Sequence, residues 1–267
     1  MSDLARRAVF LEEMGVGPLW VRRAGTAAGS TVAAADEAGG QVMAEAPPGV
    51  AAPAAAVSQQ AAAPVAVPLS VDAAISEMDW DRLQQAVAEC TRCGLCEGRH
   101  RTVFGVGNRN AQWLFVGEGP GRNEDQRGEP FVGPAGKLLD NMLAAMGLKR
   151  GENAYIANIV KCRPTDDNGR DRPPSPEEVA ACMPYLERQI ALIRPQVIVA
   201  LGKTAALSLL GRDPDTPVSR LRGTVHRYRE LPLIVTYHPA YLLRNMADKK
   251  KAWADLCLAM NAHADTA

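Results

Sequence analysis

The stretch FVGEGPG, Phe115 to Gly121, closes an apolar run that begins at Trp113 and then sets one acid, Glu118, among three glycines and a proline. Apolar residues in series, bounded by glycine, read as a strand buried on both faces, with a sharp turn at its carboxyl end. Gly117, Gly119 and Gly121 allow backbone angles that other residues resist, so the chain can turn there and pass close to a ligand. Open α/β sheets bind ligands at the carboxyl ends of their parallel strands. Glu118 is therefore a candidate site residue from its place alone.

Three further apolar runs share the texture of the first: Tyr155 to Val160, Val197 to Leu201 and Leu233 to Thr236. Helical periodicity lies between them, at Lys137 to Met146, Pro176 to Ile193 and Lys203 to Leu210, and Lys249 to Asn261 closes the chain. Ser175 and Glu178 form a capping box for the second of these helices. Strands alternating with crossover helices predict an α/β fold, a three-layer α/β/α sandwich around a central, mainly parallel four-stranded sheet.

The 267 residues, 47% of them hydrophobic, hold enough apolar mass for one well-buried domain with length to spare. The expected domain runs from 79 to 267. Residues 24 to 78 are dominated by Ala, Gly and Pro and read as a disordered linker. Residues 1 to 23 carry Phe10, Leu11, Met14, Leu19 and Trp20 in a short segment, with residues 4 to 23 a candidate docking peptide for a protein partner. Residues 1 to 89 hold 5 Lys and Arg against 11 Asp and Glu, and residues 90 to 267 hold 25 against 19. The body is thus basic, which suits a polyanionic partner. No run of 18 apolar residues exists, which excludes a membrane-spanning helix, and Glu12 and Glu13 interrupt what a secretory signal needs. The expected setting is cytoplasmic and the expected state a monomer.

Six cysteines are too few for a disulfide scaffold, and CTRCGLC, Cys90 to Cys96, has the C-x2-C-x2-C spacing that wraps one face of an iron–sulfur cluster. The fourth local ligand is missing, because position 100 is His. Cys162, Cys182 and Cys257 are the remaining candidates, with Cys257 on the apolar side of the last helix. Cys162 and Cys182 both read as flanking turns, and iron–sulfur chemistry ranks ahead of zinc. LGKTAA, Leu201 to Ala206, imitates a phosphate-binding P-loop but lacks the glycine required at position 197, which is Val. Lys203 then reads as an ordinary first-turn residue. VTYHPAYLLRN, Val235 to Asn245, repeats the logic of the opening stretch: a strand ends and His238 follows, fixed by Pro239. With Asn158 inside a third strand, three polar groups converge on one sheet edge, as in a ligand site.

GEGPGRNEDQRGEPFVGPAGKLLD (Gly117 to Asp140), NIVKCRP (Asn158 to Pro164) and HPAYLLR (His238 to Arg244), with these cysteine spacings, resemble the family-four, iron–sulfur uracil-DNA glycosylases over about residues 80 to 262. The resemblance implies removal of uracil from DNA by hydrolysis of the N-glycosidic bond. It also implies a [4Fe-4S] cluster on Cys90, Cys93, Cys162 and Cys182, with Cys96 left over. The family motif usually reads GEAPG, and here Gly119 replaces the Ala. A related branch that traps uracil covalently carries a reactive His after its cysteine motif; PTDDNGRDRPPSPEE, residues 164 to 178, has none.

By the same resemblance, Gly117 and Gly119 border the base, Phe131 stacks on it, and Asn158 reads its O4/N3 edge. His238 donates to O2 of the departing base, and Glu118 orients water at the sugar. Leu242, Leu243 and Arg244 occupy the gap that an extruded base leaves in DNA. Arg220, Arg222, Arg227, Arg229 and Lys249 to Lys251 are the candidate phosphate contacts. The rival reading is a non-catalytic, metal-stabilised nucleic-acid-binding module.

Overall fold

The computed structural model describes residues 71–266. The docking peptide and nearly all of the expected linker therefore lie outside the described residues. The domain begins before Asp79, however, because Val71–Glu77 is a helix, α1, whose Ile75 is buried in the core. It is followed by α2 (Trp80–Ala88), capped by the Asp79 carboxylate on the Arg82 N–H, and by a single turn, α3 (Leu95–Gly98).

The remaining elements alternate as expected. In chain order they are β1 (Val106–Gly107), β2 (Trp113–Gly117), α4 (Arg122–Arg127), α5 (Pro134–Ala145), β3 (Ala154–Asn158), α6 (Pro176–Ile193), β4 (Val197–Leu201) and α7 (Lys203–Leu210). Then come α8 (Val218–Leu221), β5 (Val225–Tyr228), β6 (Leu231–Thr236), α9 (Pro239–Arg244), a 3-10 turn at Met246–Asp248, and α10 (Lys249–Ala264).

The sheet has six strands rather than four, in the order β1-β3-β2-β4-β6-β5. The four expected strands form its parallel centre, and the two added strands pair antiparallel at its edges, β1 on β3 and β5 on β6. Each central strand feeds two cores by the strict alternation of strand side chains. Leu114, Val116, Tyr155, Ala157, Ile198 and Ala200 face one core, and Trp113, Phe115, Ala154, Ile156, Val197 and Val199 face the other. That double burial is why these strands read as continuous apolar runs.

α6 starts at the expected capping box: the Ser175 hydroxyl accepts from the Glu178 N–H, and the Glu178 carboxylate accepts from the Ser175 N–H. Cys182 corrects its own expectation. It lies inside α6 and is buried there, not at a turn.

Chain direction reverses between β2 and β4: from β2 the chain moves outward to β3, and from β4 it moves the other way to β6. Ligands gather at such a switch point, outside the carboxyl ends of the strands. Gly117 pairs with Asn158 and Leu201 with Thr236, so the tips of β2, β3, β4 and β6 end level with one another. Main-chain bonds from Ile159 N–H to the Gly117 carbonyl and from Gly202 N–H to the Thr236 carbonyl carry the alignment past the strand ends.

Candidate active site

A cleft of about 520 Å³ opens over these strand tips, lined by Glu118, Gly119, Phe131, Asn158, Lys203, His238, Tyr241 and Arg244 among others. It brings Glu118, Asn158, His238 and Phe131 together. The glycines of the opening motif serve it differently from the expectation. Gly117, Gly119 and Gly121 are not among the residues with left-handed φ. What matters is the missing Cβ: one on Gly117 would stand 2.5 Å from Asn158 Oδ1 and 2.7 Å from the Phe131 ring, and one on Gly119 would stand 2.8 Å from Val160 Cγ2.

Asn158, the last residue of β3, is 2% exposed, and its Oδ1 has no hydrogen-bond partner. A buried acceptor left unmet costs about 1–3 kcal/mol, so in a folded protein it calls for an explanation. Here the explanation is the cleft, which Asn158 lines and where a ligand donor can meet it.

His238 caps α9 from outside: its Nδ1 accepts from the Ala240 N–H at 3.1 Å. That bond assigns the ring proton of the neutral imidazole to Nε2, leaving Nε2–H as a donor. Burial lowers the His238 pKa to about 4, and the nearby Arg244 cation adds to the effect. The imidazole is therefore neutral at ordinary pH. Phe131 stacks against it at 5.5 Å between ring centroids and 28° between planes.

Phe131 itself has φ 56°, a left-handed conformation that a bulky residue adopts only when its surroundings impose it. Arg150 supplies part of that constraint by donating to the Phe131 and Pro130 carbonyls at 2.9 and 2.8 Å. Glu124 holds the adjacent turn, accepting from the Val132 and Gly133 N–H groups.

Thr204 was not among the expected site residues. It lies in the first turn of α7, and its hydroxyl donates to Glu118 Oε2 across the β2–β4 switch point. One carboxylate oxygen is thereby anchored. The residues of the P-loop imitation still build the site. Lys203 lines the cleft, and Gly202, with φ 94°, lets the β4 tip approach His238: a Cβ there would lie 3.0 Å from the His238 Cβ. Sequence spacing carries no trace of the Thr204 contact, because 86 residues separate the partners.

Other expectations need correction. Leu242 is fully buried and packs into the core, which removes it from any direct contact with DNA; Leu243 and Met246 are the exposed apolar side chains beside the cleft residue Arg244. Arg222 is committed inside the protein, donating to the buried Asp255 and lying 4.8 Å over the Tyr237 ring. Lys249 is buried. Neither is a free phosphate contact.

On the other side of β3, Cys90, Cys93, Cys96, Cys162 and Cys182 line a second, smaller pocket. Burial pushes the Cys162 and Cys182 thiols up, Cys182 to about 12, which makes them unreactive as bare thiols. Arg99 Nη1 donates to Cys162 Sγ at 3.4 Å, and the Lys161 N–H donates to Cys182 Sγ at 3.3 Å. An all-thiol set with N–H donors aimed at sulfur fits an iron–sulfur cluster. Among the described residues no three His, Cys, Asp or Glu side chains are grouped so as to hold a metal ion. No helix among the described residues is long and apolar enough to cross a membrane.

Comparison with known proteins agrees with the geometry. The family model described as the uracil DNA glycosylase superfamily matches residues 104–257. The chain is 47% identical over 169 residues to the type-4 uracil-DNA glycosylase of Archaeoglobus fulgidus, covering 61% of this chain and 82% of that one. It is 44% identical to the Thermotoga maritima type-4 enzyme, covering 62% and 84%, and 38% identical to the Pyrobaculum aerophilum type-4 enzyme, covering 68% and 93%. With its strand-tip cleft, its cysteine pocket and these likenesses, the chain belongs to the type-4 branch of the uracil-DNA glycosylase superfamily.

Proposed function

We propose that this protein is a monofunctional DNA repair glycosylase that excises uracil and leaves an abasic site. The observation that carries the reading furthest is the unmet Asn158 Oδ1 at the cleft. Uracil N3–H donates and its O4 accepts, the complement of the Asn158 amide. Cytosine presents the reverse pattern and would leave buried polar atoms unpaired. A base inside a duplex is out of reach, so the nucleotide leaves the stack and Phe131 receives the ring. Leu243 and Met246, exposed beside Arg244, are the side chains available to fill the gap.

When the C1′–N1 bond breaks, its electron pair goes to the base and positive charge develops on the sugar. His238 Nε2–H stabilises the anion at O2 as a neutral donor. Glu118, with Oε2 held by Thr204, has Oε1 free to orient water toward C1′ and to face the cationic sugar. The water's proton leaves through that carboxylate or to solvent.

Cys90, Cys93, Cys162 and Cys182 are the proposed [4Fe-4S] ligands. The cluster's contribution is structural, a cross-link between the segment after α2, the exit of β3 and α6. A reducing cytoplasm suits such a set of cysteines, none of which forms a disulfide.

Incubating the protein with a uracil-containing oligonucleotide, then with alkali, tests the reading. Strand scission at the uracil is expected; retention of the oligonucleotide with every base intact would overturn the reading and support the binding-module alternative. Two further outcomes are expected. Thr204→Val slows single-turnover release about 10-fold, the worth of one hydrogen bond to a charged group, and Thr204→Ser stays near the parent rate. Cys182→Ser lowers the iron content per chain and drops the apparent Tm by roughly 5–10 °C, equivalent to losing about 2–3 kcal/mol of cross-linking. Full iron and an unchanged Tm would remove Cys182 from the ligand set.

A further inference from the structure

Lys161 is a buried cation that neither recognition nor chemistry has used. It is 1% exposed, and its Nζ donates to the main-chain carbonyl of Asn158 at 2.9 Å and to Gln189 Oε1 at 2.6 Å. Gln189, fully buried, is in turn fixed by donating Nε2 to the Phe104 carbonyl at 2.9 Å. A buried ammonium with two neutral oxygen partners is a costly way to fill a core that an apolar side chain could pack, so its contacts point to a specific task.

Those contacts lie at both ends of one short segment. At its start is Asn158, whose carbonyl Lys161 holds. At its end is Cys162, and the Lys161 N–H donates to Cys182 Sγ at 3.3 Å. The Val103 N–H, donating to the Lys161 carbonyl at 2.8 Å, keeps the main chain from rotating between them. Holding the Asn158 carbonyl fixes the peptide plane between residues 158 and 159, and with it the direction in which the Asn158 side chain leaves the backbone. The missing Cβ of Gly117 leaves the space that Oδ1 takes up, since a Cβ there would stand 2.5 Å from it, so the aim of the amide depends on how the Asn158 main chain is held.

We propose that Lys161 is a positioning residue for base recognition, one that holds the Asn158 main chain so that Oδ1 faces the cleft and ties that amide to the cysteine pocket. The proposal rests on the glycosylase reading above. Lys161 touches no substrate; it acts through Asn158.

The test compares Lys161→Met in two backgrounds, the parent and Asn158→Ala, using full-length, iron-loaded protein. Two readouts are taken: the single-turnover rate of uracil release from an oligonucleotide, and the equilibrium affinity for free uracil by calorimetry. If Lys161 acts through Asn158, Lys161→Met lowers both about 10-fold in the parent and less than about 2-fold once the Asn158 amide is gone. Equal losses in the two backgrounds, or no loss in the parent, would overturn the proposal, because a residue that only fills the core has no reason to spare the Asn158→Ala protein.

Should Lys161→Met fail to fold, Gln189→Leu removes only the second anchor of the ammonium. The same asymmetry is then expected at smaller size, and a symmetric loss overturns the proposal. A parent that neither binds uracil nor releases it defeats the glycosylase reading and this one together. An active parent with symmetric losses defeats this one alone.

Discussion

His238→Ala is expected to slow uracil release by about 10²–10³-fold, the range found when one preorganised donor to a developing anion is removed. The size follows from the state of the ring. Ala240 fixes the tautomer, so Nε2–H is already a donor before substrate arrives and no proton shift is needed during bond breaking. Burial and Arg244 hold the pKa at about 4, so the donor is a neutral imidazole. Single-turnover rates measured across pH 5 to 9 should therefore show no break near 6.5, the ordinary histidine value, that disappears in the alanine variant. Such a break would mean that the imidazolium is the working form. The same lowered pKa sets a sign for stability. The unfolded chain takes up a proton near pH 6.5 and the folded chain only near 4, so the stability contributed by neutral His238 is complete above pH 6.5 and is lost as the pH falls toward 4.

Glu118→Gln is expected to cost about 10²-fold or more in the chemical step while tightening the binding of uracil-containing DNA. The two effects have one origin. In the ground state a carboxylate at the cleft repels the phosphates of the approaching strand, and it becomes favourable only when the sugar turns cationic. Glutamine keeps the shape and can still accept from the Thr204 hydroxyl, so the comparison isolates the charge. Dissociation constants from fluorescence anisotropy, set beside single-turnover rates, read the two terms separately. If rate and affinity fell together, Glu118 would be a binding residue, and the assignment of water orientation to it would fail.

The centre of the fold was legible because double burial writes itself into sequence: Trp113 to Val116 and Val197 to Leu201 are apolar at every position, since both faces of each strand meet a core. The edges were not. Val106–Gly107 is two residues long, and in Val225–Tyr228 only Tyr228 is buried, so neither leaves a pattern. Val71–Glu77 was absorbed into the Ala-rich tether because only Ile75 is buried. In the cleft, residues set by strand ends were readable and residues set by register were not. Glu118 and His238 follow apolar runs directly, whereas Thr204 matters only because β2 and β4 lie side by side. Leu242 and Leu243 are indistinguishable in sequence, and helical phase alone sends one into the core and the other to the surface.

The lone acceptor of Asn158 has a consequence for the resting protein. Until a pyrimidine supplies the missing donor, the molecule endures a local deficit that a leucine of similar bulk would abolish, so its most heat-resistant version would also be blind to its substrate. Readiness to recognise a base and resilience while waiting for one pull position 158 in opposite directions.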